Sequence, residues 1–74
     1  MSTFPSLTGS RLIRALTKVG FKVIRIKGSH HFLQHPDSRC TVVPVHRGEN
    51  IGRGLLSQIL RDCEITLSEL QKLL

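Results

Sequence analysis

A chain of 74 residues with 39% apolar side chains has material for one small domain, and no run approaches the roughly 18 apolar residues that a membrane span needs. Eleven Lys and Arg against five acids give a net charge of +6 and a pI near 10.4. The excess sits in residues 1–48, where Asp37 is the single acid, and such asymmetry points to a polyanionic partner, nucleic acid before a membrane surface.

Residues 1–7 read as a loose lead-in. They lack a basic stretch followed by an apolar one, so no secretory signal is expected, and residues 1–74 are read as one complete cytoplasmic domain. Thr8 is a candidate N-cap. Leu12, Ile13, Leu16 and Val19 then fall on one helical face, and Gly20 suits the position just past the helix end.

The period changes at Phe21. Phe21–Lys27 is rich in β-branched residues and predicts a strand; the adjacent Val23 and Ile24 break its alternation, so either a bulge intervenes or both faces are partly covered. Gly28-Ser29 suits a two-residue type II′ hairpin turn, followed by a strand over His30–His35. Pro36-Asp37-Ser38-Arg39 is a turn signal, and Cys40–Val45 a third strand with Pro44 near its end or at a sheet edge. Phe21 and Phe32 are expected in the core.

His46–Gly54 reads as a polar loop. Leu55, Leu56, Ile59, Leu60 and Cys63 mark an amphipathic helix from about Arg53 to Asp62. Thr66-Leu67-Ser68-Glu69 is a capping box flanked by Ile65 and Leu70 at the staple positions, so a short last helix should start at Leu67. The order α-β-β-β-α-α predicts an α+β domain, with a three-stranded antiparallel sheet and its helices on one face. This is the order of double-stranded-RNA-binding modules.

Four histidines, His30, His31, His35 and His46, fall within seventeen residues. Imidazole titrates near neutrality and suits acid–base work. RNA cleavage needs a base for the 2′-hydroxyl, an acid for the leaving oxygen and positive charge for the phosphorane-like state, which His with Lys or Arg can supply. With so few acids, the carboxylate cage of a two-Mg²⁺ nuclease is not available. His30 and His31 must point to opposite faces of their strand, so at most one of them serves a given site. A metal site built from His31, His35, Cys40 and Cys63 is the competing use of these residues, but no recognised zinc spacing supports it. No metal or other cofactor is expected, and the two cysteines are read as inert structural thiols. With no Trp or Tyr, base-stacking platforms give way to phosphate contacts by Arg11, Arg14, Lys22, Arg25, Lys27 and Arg53.

Three blocks carry a resemblance. Leu16-Thr17-Lys18-Val19-Gly20-Phe21, Arg25-Ile26-Lys27-Gly28-Ser29-His30-His31, and Val42-Val43-Pro44-Val45-His46 with Gly54-Leu55-Leu56 resemble the HicA family of bacterial toxins, over about residues 8–74. The resemblance implies a double-stranded-RNA-binding-like fold, endonuclease action on mRNA, and neutralisation by a HicB-like antitoxin protein. It also implies a catalytic role for His31, the last residue of Gly-Ser-x-His. His46, Ser29, Lys27 and His30 are accessory candidates. A non-catalytic RNA-binding module of the same fold is the alternative, and a basic face serving only an acidic protein is a third.

Overall fold

The computed structural model describes residues 4–74 and has the elements α1 (Gly9–Thr17), β1 (Lys22–Lys27), β2 (His30–Gln34), β3 (Cys40–Pro44), α2 (Arg53–Cys63) and α3 (Leu67–Leu73). The three strands are antiparallel in the order β1-β2-β3, with the helices packed on one face, so the α+β arrangement read from the sequence is the one formed. No helix among the described residues is long and apolar enough to cross a membrane.

Each helix end follows from local chemistry. The Thr8 hydroxyl accepts the Arg11 N–H at 3.3 Å. At the other end the Gly20 N–H bonds to Thr17 O and the Phe21 N–H to Leu16 O, the paired bonds of a Schellman motif, with Gly20 at φ +104. The same motif closes α2, where Glu64 N–H bonds to Arg61 O and Ile65 N–H to Leu60 O. Here the left-handed position is held by Glu64 at φ 56. The capping box of α3 forms as expected: the Thr66 hydroxyl accepts from Glu69 N–H and the Glu69 carboxylate from Thr66 N–H. Those backbone and hydroxyl donors hold the Glu69 carboxyl below its usual range.

The sheet register is set by the two turns. Gly28 has φ +59 while Ser29 is not in the left-handed region, as a type II′ turn requires. A bulge lies between Val23 and Arg25 and leaves Ile24 outside the ladder. Leu33, Thr41 and Val43 are buried against the helices, while Gln34 and Cys40 are exposed, so alternation assigns His31 and Leu33 to the helix side and His30 and Phe32 to the open side. The core joins Leu12 and Leu16 of α1, Leu56, Ile59 and Cys63 of α2 and Leu70 of α3 to Leu33, Val43 and Phe21. Burying each such side chain contributes about 1.5–3 kcal/mol.

Three expectations are corrected. Residues 4–7 are not a loose lead-in: Leu7 is buried in the core, its carbonyl accepts the Ile51 N–H at 2.6 Å, and Thr8 bridges Asn50. Residues 1–3 lie outside the described part. Val19 is exposed rather than on the buried face of α1, because the chain is already turning toward Gly20. Phe32 is half-buried on the open face, its ring under the Arg25 guanidinium at 5.8 Å, and is not a core residue.

Candidate active site

His31 sits on β2, opposite Ile26 of β1 and Val43 of β3, and is half-buried. Its Nδ1 lies 3.3 Å from the Ser29 carbonyl oxygen. A carbonyl can only accept, so the bond requires the proton on Nδ1. In the neutral ring Nε2 then carries the free lone pair. The same carbonyl accepts the Val45 N–H at 2.7 Å. The β1–β2 turn is thereby tied both to the end of β3 and to the imidazole, which fixes the ring from its own backbone. His46 follows Val45 directly, so it leaves the sheet one residue beyond that bond and is exposed.

The other candidates distribute as follows. Lys27 pairs with His30, not with His31, and both are exposed. By alternation they share the open side, so the sheet separates His31 from its neighbour in sequence and from the Lys27 Cα–Cβ direction. Lys22 pairs with Gln34 and Arg25 with Phe32, all three cations of β1 being exposed. Arg11 and Arg14 are exposed on α1, which packs on β3 at the other edge of the sheet. With Lys18 they line a recess of about 170 Å³ closed by Leu73 and Leu74, and the Lys18 ammonium donates to Leu73 O at 2.7 Å. Arg53 begins α2 and lies over the Phe4 ring at 5.0 Å. The basic candidates thus form a β1 group and an α1 group, a division that spacing along the chain does not reveal.

His35, the fourth histidine, is structural. Its Nε2 donates to Val19 O at 3.0 Å, its ring packs edge-on against Phe21, and Nδ1 lies 3.0 Å from an Asp37 carboxylate oxygen. Arg39 donates through Nε to both Asp37 oxygens and holds that carboxyl below its usual range. Cys63 is buried, and desolvation pushes its thiol up to about 12, whereas Cys40 is exposed. Both thiols are free, and among the described residues no group of three or more His, Cys, Asp or Glu is placed to hold a metal ion. His31, His35, Cys40 and Cys63 are therefore not assembled into one site.

Comparison with known families decides the class. The sequence matches the family described as the HicA toxin of bacterial toxin–antitoxin over residues 9–65, from the start of α1 to the turn before α3. The chain belongs to the HicA toxin family. A search of curated proteins gives no match. The matched span holds all four histidines and every cation of α1 and β1, so the family assignment covers the whole site described above.

Proposed function

We propose that this HicA-family chain is an endoribonuclease toxin that cleaves mRNA in the cytoplasm without a divalent metal, with His31 as its acid–base residue, and is silenced by a HicB-like antitoxin. The observation that carries the reading is the Nδ1–Ser29 carbonyl bond. It leaves Nε2 able to take a proton, while the ring is only half-buried and reachable. In the reaction Nε2 removes the proton of an RNA 2′-hydroxyl, the oxygen attacks the adjacent phosphorus, and the 5′-oxygen leaves with a proton from a second group. Charge on the phosphorane-like state is met by cations; Lys27 and Arg25 are the candidates on the β1–β2 hairpin, and because they stand on the open side their long side chains must reach past the β1 edge to meet it. His46, one residue past the Ser29–Val45 bond, is the first candidate for the second proton donor. Ser29 acts through its backbone, and His30 is the accessory of least weight because it takes the other face.

The test is cleavage of RNA in excess EDTA by the purified chain, His31→Ala and His30→Ala. Circular dichroism verifies that each variant is folded. His31→Ala is expected to lose at least about a hundredfold in rate and His30→Ala only a few-fold. Comparable rates for His31→Ala and the parent chain would remove His31 from the chemistry. Binding of RNA without any cleavage by the parent chain would instead support the non-catalytic module.

A further inference from the structure

The outer edge of the sheet is left uncovered by the core, and its backbone and isoleucines have no part in the proposed reaction. β1 pairs on one side with β2, and all six of its residues are exposed. Ile24 and Ile26 are 60% and 59% exposed. An edge strand is ordinarily guarded against self-association by charge and by bulges, and β1 has both in Lys22, Arg25, Lys27 and the bulge at Ile24. The two isoleucines serve no such purpose and are unfavourable in water unless something covers them. Beside Ile24 a groove of about 470 Å³ crosses Leu33 and Thr41 on the helix side of the sheet to Leu55 and Ile59 of α2. The bulge puts Ile24 on its rim.

We propose that β1 is a docking edge for an extended strand of an acidic protein partner, which adds to the sheet and lays apolar side chains over Ile26, over Ile24 and into the groove. The proposal rests on the toxin–antitoxin reading for the partner's class, the antitoxin. Charge selects this occupant. A second copy of the chain would set Lys22, Arg25 and Lys27 against their own duplicates, and like charges across a strand pair are destabilising. RNA would engage the cations but leave the isoleucines and the outward-facing backbone groups uncovered. A strand alternating acidic and apolar residues satisfies the backbone, the cations and the isoleucines together.

The experiment titrates the ¹⁵N-labelled full chain at low salt with an end-capped seven-residue peptide alternating glutamate and valine. The control peptide has lysine in place of glutamate. Amide shifts are expected to concentrate on residues 22–27 and the groove, with slowed hydrogen exchange at β1 amides. Ile24→Thr, a change at an exposed strand position, should weaken binding about tenfold, as should the lysine peptide. Shifts equal at Arg11 and Arg14, or none with millimolar peptide, would overturn the proposal. So would protection of the β1 amides by a single-stranded oligonucleotide but not by the peptide. RNA cleavage is followed in parallel with the parent chain, so absence of nuclease activity sinks the ribonuclease reading without touching the strand result.

Discussion

A Cβ placed on Gly20 would stand 2.7 Å from Nε2 of His35, the atom that donates to Val19 O. Gly20 is therefore constrained twice, by φ +104 and by the ring above it. Gly20→Ala should destabilise the fold by about 2 kcal/mol or more in urea denaturation. Gly28 also has positive φ, at +59, but nothing lies within 4 Å of its Cβ position, so Gly28→Ala should cost only about 1 kcal/mol. Equal losses would mean that the His35 contact carries no weight.

Glu64 occupies a conformation that favours glycine, at the Schellman position that ends α2. The left-handed backbone costs a non-glycine residue roughly 1–2 kcal/mol, partly offset by the extra freedom glycine has when unfolded. Glu64→Gly is expected to raise stability by about 0.5–1 kcal/mol. A lower denaturation midpoint for this variant would show that the Glu64 side chain contributes more than its backbone strain removes.

Burial raises the Cys63 thiol from an unfolded value of 9.0 to about 12. The unfolded chain loses this proton first, so the stability contributed is whole below pH 9 and is lost as pH rises from 9 toward 12. Cys63→Ala should flatten that part of the alkaline limb in a pH series of chemical denaturation. Alkylation at mild alkaline pH should modify the exposed Cys40 and leave Cys63 untouched until the chain unfolds. Equal alkylation rates at the two thiols in the folded chain would contradict the buried site.

Cleavage is expected to persist in EDTA and to be unaltered by Mg²⁺ beyond ordinary charge screening. RNA affinity should fall steeply with salt, and Arg11→Gln with Arg14→Gln should lower the slope of log affinity against log salt by about 0.7 for each lost phosphate contact on single strands. Activity restored only by Mg²⁺ or Mn²⁺ after EDTA would sink the metal-free mechanism. An unchanged salt slope would take α1 out of the RNA contact.

Features decided by near neighbours in the chain were legible in the sequence. The Thr8 and Thr66 caps, the Gly20 helix stop, the Gly28-Ser29 turn and the bulge at Ile24 each depend on a few adjacent residues, and each formed. Features decided by distant partners were not. Leu7 is held by Ile51, and Phe32 lost its core place because β2 turns that side away from the helices. The same holds for the site. The Gly-Ser-x-His block marked His31, but not the bond from Val45 that anchors Ser29, nor the register that gives Lys27 to His30.

Arg39 donates to the Cys63 carbonyl at the end of α2, grips Asp37 in the β2–β3 turn, and lies over the Phe21 ring at 5.2 Å. One planar fork thus touches a hairpin, a helix terminus and the first residue after the Gly20 turn. Opening the hairpin takes the Arg39 donor from the Cys63 carbonyl, and fraying of α2 takes from the guanidinium one of its three contacts. The end of the helix and the hairpin are thus coupled through a single side chain. Lysine, with a single ammonium in place of the fork, could keep one of these bonds but would uncouple the pieces.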